Sequence, residues 1–295
     1  MVSVLDRLPS GSRVAVIRLR SLGDCVLTTP ALALLKAHRP DLKVQIVVEP
    51  KFAAIYQGNP DVDEILDAPH GAELVLNLHG GTRSQRMTAA SRARFRVGFV
   101  HHRYSSFVYT HAIPRAQEIL EVDRPVHTVE HLASAMFWLG VPEAEIPRAK
   151  LCGHAPERAP YVAIHPFASA PEKAWSVVGF LAFAEHQKKA GLEPVILAGP
   201  GDDVTPFSGF EILRAAPLSE VKNLISGATF FLGNDSGPAH IAAAFGVPVI
   251  ALFGPSDPAA WGPWRTESQV LKADDLINIK LDQVLAAAEA LKVKA

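Results

Sequence analysis

The sequence predicts an α/β protein made of two doubly wound domains. Short apolar runs alternate with longer segments of helical period, which is the pattern of βαβ units on a parallel sheet. The alternation occurs twice, and a stretch from Gly140 to Pro160 with four prolines and no clear period separates the halves. We therefore expect an N-terminal domain over residues 1–150 and a C-terminal domain over residues 151–295. Packing of the last helix back on the N-terminal domain is left open.

Eight apolar runs have the length of buried strands. They are Arg13–Arg18, Lys43–Val48, Leu74–Leu78, Phe95–Phe99, Tyr161–His165, Pro194–Ala198, Thr229–Leu232 and Val247–Leu252. The predicted helices are Cys25–Ala37, Val126–Leu139, Val177–Ala190, Ser219–Ser226, Gly237–Phe245 and Leu281–Lys292. Ligands of such sheets bind outside the carboxyl ends of the strands. With two domains, the expected site is a cleft between them.

Composition and length narrow the class of protein. The 295 residues are 48% hydrophobic and 20% charged, which is typical of a globular protein. The first residues lack a secretory signal, and no apolar run reaches the roughly 20 residues that cross a bilayer. Two cysteines, Cys25 and Cys152, are too few for a disulfide framework. We expect a cytoplasmic protein.

A Gly-Asp pair follows the first predicted strand and opens the first helix. Gly23 permits a tight turn, and Asp24 then lies at the carboxyl end of the strand. Asp24 could be a helix N-cap, which is typically worth about 1 kcal/mol. It could also be a general base, a role typically worth about 10²–10⁴-fold in rate. The two interpretations are compatible.

Three loops of the second half carry polar residues after predicted strands. Gly233 to His240 forms a Gly-rich turn before a helix, where free amides favour an anion such as a diphosphate. Ser169 and Lys173 follow another strand, and Asp203 follows a third. We thus expect one phosphate-binding turn to have three groups near it: the Ser169 hydroxyl, the Lys173 ammonium and the Asp203 carboxylate, which could accept hydrogen bonds from ribose. Neither a Walker A nor a G-x-G-x-x-G pattern is present.

These motifs together resemble glycosyltransferase family 9, whose best-known members are ADP-heptose:lipopolysaccharide heptosyltransferases. The resemblance covers nearly the whole chain in order. It rests on Leu22-Gly23-Asp24, Thr29-Pro30-Ala31-Leu32, Lys173-Ala174-Trp175, Asn234-Asp235-Ser236-Gly237-Pro238-Ala239-His240, Gly246-Val247-Pro248-Val249 and Leu252-Phe253-Gly254-Pro255. It implies a GT-B fold, two Rossmann-like domains facing across a cleft. It also implies inversion at the anomeric carbon without a metal or other cofactor, the donor being ADP-heptose or another nucleotide-sugar.

The resemblance also assigns roles by position. Asp24 matches the catalytic base, and Gly23 lies beside it on the acceptor side. The donor-binding residues that it implies are Ser169, Lys173, Asp203, Asp235, Ser236, Gly237 and His240. For His240, a hydrogen-bonded structural role in the helix is an equal alternative.

An arginine-rich segment lies in the first half. Between Leu74 and Gln117 there are seven arginines and no acidic residue, so its formal charge is +7 and the rest of the chain, against a total of −1, carries −8. Charged runs are usually solvated faces, but those normally mix signs. This one-sign stretch suggests an anionic acceptor or an anionic membrane surface. The family resemblance implies a lipid-linked, acidic saccharide at the inner face of the cytoplasmic membrane, where the protein would be peripheral, and we expect Arg83, Arg86 and Arg103 to bind it. No nucleic-acid recognition module is present.

Three other functions stay open from the residues alone. His127-Thr128-Val129-Glu130-His131 fits H-x-x-E-H, a signature of certain zinc peptidases, although no third ligand is identifiable. A nucleotide-sugar epimerase would share the two-domain plan. A non-catalytic nucleotide-sugar-binding protein would share the donor site. The favoured prediction is an inverting transferase that moves a sugar, most simply heptose, onto a lipid-linked acidic saccharide such as the lipopolysaccharide inner core.

Overall fold

The computed structural model describes residues 3–99 and 107–292. The chain divides between Cys152 and Gly153 into two compact units, two residues beyond the expected boundary. In the described residues each unit contains one six-stranded sheet, and every strand pairing in both sheets is parallel. The α/β fold class predicted from the alternating pattern is confirmed.

The first unit is built from six strands and four helices within the described residues. Its strands are β1 Arg13–Ile17, β2 Lys43–Val47, β3 Glu64–Leu66, β4 Leu74–Asn77, β5 Phe95–Phe99 and β6 His111–Ile113. Its helices are α1 Leu22–His38, α2 Thr82–Ala90, α3 Ala116–Ile119 and α4 Thr128–Leu139. The strand order is β3-β2-β1-β4-β5-β6. Because strands β1, β2 and β4 are buried almost throughout, they are mainly apolar in the sequence, with Gln45 and Asn77 as buried polar exceptions.

The second unit repeats this plan. Its strands are β7 Tyr161–His165, β8 Glu193–Ala198, β9 Glu211–Arg214, β10 Phe230–Asn234, β11 Val249–Phe253 and β12 Ser268–Lys272. Its helices are α5 Val177–Lys189, α6 Leu218–Ser226, α7 Gly237–Phe245, α8 Pro258–Trp261 and α9 Leu281–Lys292. The order β12-β11-β10-β7-β8-β9 equals that of the first sheet when strands are counted within the unit. Both sheets therefore have the doubly wound 3-2-1-4-5-6 order of nucleotide-binding domains.

The local sequence explains where α7 begins and ends. Pro238 lies in its first turn, where its fixed φ fits a helix and its missing N–H costs no hydrogen bond. Gly246 ends the helix with φ of +75°, a left-handed conformation that glycine adopts at little cost. The position of this helix matters because its amino end lies at the carboxyl edge of the sheet.

Contacts hold both the last helix and the predicted linker in place. Helix α9 contacts α5, β11 and β12 of its own unit, and Val284 and Ala288 on it are fully buried. The stretch between α4 and β7 has no regular secondary structure. Two hydrogen bonds nevertheless hold it: the Lys150 N–H donates to Thr29 of the first unit, and the His154 N–H donates to Asn223 of the second. No helix among the described residues is both long and apolar enough to pass through a bilayer.

Candidate functional site

Each sheet has a topological switch point, where the strand order reverses and crevices for ligands form. In the first sheet this point lies between the neighbouring strands β1 and β4, and in the second between β7 and β10. The Gly23-Asp24 pair follows β1, and the Asp235-Ser236 turn follows β10. Each predicted constellation therefore lies at the switch point of its own sheet.

Asp24 is held by two neighbours, and the described part of the chain leaves one of its acceptor positions open. Its Oδ2 accepts from the Ser21 N–H at 3.1 Å and from the Ser21 hydroxyl at 3.0 Å, and its Oδ1 accepts from the Arg18 guanidinium. A carboxylate offers about four acceptor positions, so one remains on Oδ1. The side chain is 21% exposed. Asp24 is therefore oriented and still accessible.

The helix-capping interpretation of Asp24 is wrong in one detail. The helix begins at Leu22 rather than Cys25, so Ser21 is the N-cap and Asp24 is the third helical residue. Its carboxylate reaches back to the N-cap amide, which is the arrangement of a capping box. Gly23, the second helical residue, is buried. The sequence placed the carboxylate at the correct end of the strand but misjudged the first turn.

His79 was not predicted as a site residue, yet it is close enough to Arg18 and Asp24 for their charges to act on it. It follows β4, where its N–H donates to the Asn77 side chain at 3.0 Å. Burial lowers the pKa of His79, and the Arg18 and Arg20 guanidinium groups lower it further, while Asp24 opposes the shift. A histidine with a lowered pKa is neutral at pH 7. The switch point of the first sheet thus combines a carboxylate, an arginine and a neutral imidazole.

The structure divides the arginine-rich segment between two edges of the sheet. Arg83 lies in the first turn of α2, after β4, and pairs with Glu49 at 3.1 Å. Arg86 lies one turn further along the helix and is exposed. Arg94 precedes β5, so it lies at the opposite edge from Asp24. Arg103 lies outside the described residues.

Two further arginines of this segment also have partners. Arg96 donates to the carbonyl groups of Val108 and Ala93, and Arg115 pairs with Glu118 at 2.8 Å. The described arginines, although all of one sign in the sequence, therefore do not form one continuous positive surface. Of the arginines that the structure describes, Arg83 and Arg86 on α2 lie on the predicted acceptor side.

In the second unit, Asn234 joins the loops that carry the predicted donor residues. This asparagine ends β10 and is fully buried. Its Oδ1 accepts from the Trp175 N–H at 2.9 Å, and its Nδ2 donates to the Pro166 carbonyl at 3.0 Å. The Trp175 indole donates to the Ile279 carbonyl at 2.8 Å. The loop after β7 is thereby fixed against the turn after β10.

These hydrogen bonds of Asn234 hold the loop so that Lys173 lies close to Asp235. The Lys173 ammonium lies 3.9 Å from Asp235 Oδ2, with the side chains 36% and 12% exposed. Ser169, in the same loop as Lys173, is exposed. The sequence prediction that an ammonium lies near the Gly-rich turn agrees with this geometry.

Ser236 and Gly237 begin helix α7. Ser236 is the N-cap, but its hydroxyl makes no capping bond to the helix and instead lies 3.2 Å from Nδ1 of His165. Burial lowers the pKa of His165 to about 4, and the Asp202 carboxylate partly opposes this shift. His165 was not predicted as a site residue. The signal available was its position as the last residue of a strand beside the switch point.

The other two predicted donor residues have local roles in the structure. Asp203 is exposed and accepts from the Thr205 N–H at 3.0 Å, which closes a turn of its own loop. The preceding residue, Asp202, accepts from the Gly199 N–H at 2.7 Å and influences His165. His240 is only 5% exposed within α7, which favours the structural alternative considered for it.

The H-x-x-E-H sequence forms a helix start. His127 is the N-cap of α4 and accepts from the Val129 N–H through Nδ1, so that lone pair is occupied. Glu130 accepts from the His127 N–H and pairs with Arg124 at 2.6 Å. His131 stacks on Phe99 at 4.0 Å between ring centroids. Across residues 3–99 and 107–292, no three His, Cys, Asp or Glu side chains are grouped to hold a metal ion.

The two sheets, with one strand order and polar residues at both switch points, have the GT-B fold of nucleotide-sugar transferases. A family model described as "Glycosyltransferase family 9 (heptosyltransferase)" matches residues 69–283, which is more than half of the chain. The chain belongs to glycosyltransferase family 9. This confirms the family resemblance and makes the protein a glycosyltransferase.

Three known proteins illustrate the similarity. Lipopolysaccharide heptosyltransferase 3 of Escherichia coli is 27% identical, over 83% of this chain and 84% of the relative. A glycosyl transferase family 9 structure from Veillonella parvula has a TM-score of 0.86 at 21% identity, covering 96% and 98% of the two chains. The E. coli heptosyltransferase WaaC with ADP has a TM-score of 0.80 at 19% identity, covering 95% and 99%. At these identities, the two solved structures support the fold alone.

Proposed function

We propose that this protein transfers a heptose from ADP-heptose to a lipid-linked acidic saccharide of the lipopolysaccharide inner core, with inversion at the anomeric carbon and without a metal ion. The observation that carries the proposal is the Asp24 carboxylate, which lies at the switch point of the first sheet with one acceptor position that no residue in 3–99 or 107–292 fills. Family membership supports sugar transfer, and the heptosyltransferase relative supports heptose as the sugar.

Asp24 is the proposed general base. An acceptor hydroxyl that donates to the open position on Oδ1 loses its proton to Asp24 while its oxygen attacks the anomeric carbon. The bond from that carbon to the diphosphate breaks, and the electron pair leaves with ADP. Attack opposite to the leaving group inverts the configuration. A positioned base of this kind is typically worth about 10²–10⁴-fold in rate.

The donor side is assigned to the second unit. The Lys173 ammonium can neutralise charge on the departing diphosphate, which is the service that a metal ion provides in other transferases. The amino end of α7 offers the amide of Gly237 and the positive end of the helix dipole. Asp235 would repel a diphosphate, so its proposed roles are to hold Lys173 and to accept from sugar hydroxyl groups. Ser169 and Ser236 add hydroxyl donors.

The acceptor side is assigned to the carboxyl edge of the first sheet. Arg83 and Arg86 lie on α2, which begins at that edge, and their guanidinium groups suit acidic sugars or phosphate. Because Glu49 already pairs with Arg83, Arg86 is the more available of the two. A lipid-linked acceptor would bring the protein to the inner face of the cytoplasmic membrane, where exposed arginines add about 1 kcal/mol each to reversible attachment.

A donor panel tests this function. Purified protein is titrated with ADP, UDP and GDP and then incubated with ADP-heptose and a lipopolysaccharide inner-core acceptor. We expect ADP to bind at least tenfold more tightly than UDP or GDP, and heptose to appear on the acceptor with loss of ADP-heptose. Binding without turnover would favour a nucleotide-sugar-binding protein. Conversion of the free nucleotide-sugar to an isomer would favour an epimerase.

A further inference from the structure

The histidine that ends β7 contacts a proposed donor-binding residue. Nδ1 of His165 lies 3.2 Å from Oγ of Ser236, within hydrogen-bond distance. An N-cap serine usually accepts from an amide in the first turn of its helix. Ser236 makes no such bond, so its hydroxyl is turned towards His165. The amino end of α7 is therefore not closed by its own cap residue.

His165 is neutral under physiological conditions. Its burial lowers its pKa to about 4, although the nearby Asp202 carboxylate acts in the opposite direction. A neutral imidazole has one N–H donor and one lone pair. His165 thus cannot attract phosphate by net charge. It can influence a ligand through its hydrogen bond to Ser236, depending on which of the two groups donates.

Two hydrogen arrangements satisfy the contact between His165 and Ser236. When Nδ1 is bare, the Ser236 hydroxyl donates to it, and only oxygen lone pairs face outward. When Nδ1 carries the hydrogen, it donates to Ser236 Oγ, and the hydroxyl hydrogen is free to point elsewhere. The Ser236 hydroxyl can donate to an anion at the amino end of α7 only in the second arrangement, since phosphate oxygens accept but do not donate.

We propose that His165 is a positioning residue for a nucleoside diphosphate: its Nδ1–H holds Ser236 Oγ so that the serine hydroxyl donates to a phosphate oxygen at the amino end of α7. The proposal rests on the donor assignment made above. It adds a residue that acts through Ser236 and does not touch the ligand itself. It also fixes the tautomer of the imidazole.

A double-mutant cycle on ADP binding tests the proposal. The proteins are wild type, His165→Phe, Ser236→Ala and the double variant; phenylalanine keeps the ring that packs edge-on against Phe167. We expect each single change to weaken ADP binding by about tenfold, as for loss of one hydrogen bond to a charged group. The double variant should bind no more weakly than Ser236→Ala. Effects that multiply to about a hundredfold, or a His165→Phe variant that binds like wild type, would overturn the proposal.

Two further variants separate positioning from general damage. In His165→Asn the side-chain amide can occupy the place of Nδ1, so ADP affinity should stay within about threefold of wild type. Equal losses in His165→Asn and His165→Phe would contradict the proposal. His186→Asn changes an exposed histidine on α5 of the same unit and should leave ADP affinity unchanged.

The tautomer can be measured without any substitution. In wild-type protein, ¹⁵N NMR of the histidine rings should show His165 protonated at Nδ1 and bare at Nε2; the reverse pattern overturns the proposal. The failures are distinguishable. If wild type does not bind ADP, the donor assignment fails and this proposal fails with it. If wild type binds ADP but the cycle is additive, only the role of His165 is wrong.

Discussion

At the residue scale, the site depends on side chains held by neighbours that the sequence did not single out. Asp24, Lys173 and Asp235 were predicted from motifs, because strand, turn and helix signals place them at loop positions. Arg18, His79, His165 and Asn234 were not predicted as site residues. Arg18 and His165 each end a predicted strand, and His79 and Asn234 follow one within two residues, where a polar residue has no distinguishing pattern. Their roles become visible only when neighbouring strands bring them to one edge.

The partly buried imidazole of His165 predicts a pH dependence of stability. Its folded-state pKa of about 4 lies below the ordinary value of 6.5, so the unfolded chain binds the proton more readily between these values. Stability from this residue is therefore present above pH 6.5 and is lost as the pH falls towards 4. Between pH 7 and pH 5 we expect His165→Phe to lose about 2 kcal/mol less unfolding free energy than wild type, by urea denaturation. An equal loss in both proteins would contradict the low pKa, and His186→Asn should behave like wild type.

At the element scale, the two sheets end their fourth strands in the same way. Asn77 ends β4 and Asn234 ends β10, and both are buried beside a switch point. Asn77 Oδ1 accepts from the amides of His79 and Gly80 at 3.0 Å, as Asn234 accepts from Trp175. Each asparagine thus holds a loop that carries site residues.

Asn234→Ala should damage both stability and donor binding. The change leaves the Trp175 N–H and the Pro166 carbonyl without their partner, and each unsatisfied buried group costs about 1–3 kcal/mol. We expect an unfolding free energy about 3 kcal/mol lower, with ADP binding at least tenfold weaker because the Lys173 loop is released. Chemical denaturation and ADP titration measure the two effects. Asn278→Ala, at an exposed position of the same unit, is the control. A loss of stability with unchanged ADP affinity would show that the Asn234 hydrogen bonds do not position the Lys173 loop.

The strands that the sequence missed share one property. The eight predicted strands are all present with ends shifted by at most two residues. The four missed strands, β3, β6, β9 and β12, are the edge strands of the two sheets. Edge strands are solvated on one side, so they are short or mixed in polarity and lack a continuous apolar run. Helix α2 was missed for a similar reason, since it is mostly polar.

At the scale of the whole molecule, one fold plan is used twice with different polar groups. The first unit places a carboxylate and a neutral imidazole at its switch point, and the second places an ammonium and a helix amino end. A base and an anion-binding site are the two requirements for moving a sugar from a diphosphate to a hydroxyl group. The division predicts that base and donor functions can be lost separately.

Asp24→Asn, compared with wild type in heptose transfer from ADP-heptose and in ADP binding, measures this separation most directly. Asparagine keeps the shape of the side chain but cannot take up the proton, so kcat should fall by about 10²–10⁴-fold. ADP affinity should remain within about twofold. Asp67→Asn, which follows the edge strand β3 in the same unit and is exposed, should leave both unchanged. Transfer by Asp24→Asn at the wild-type rate would contradict the assignment of Asp24 as the base.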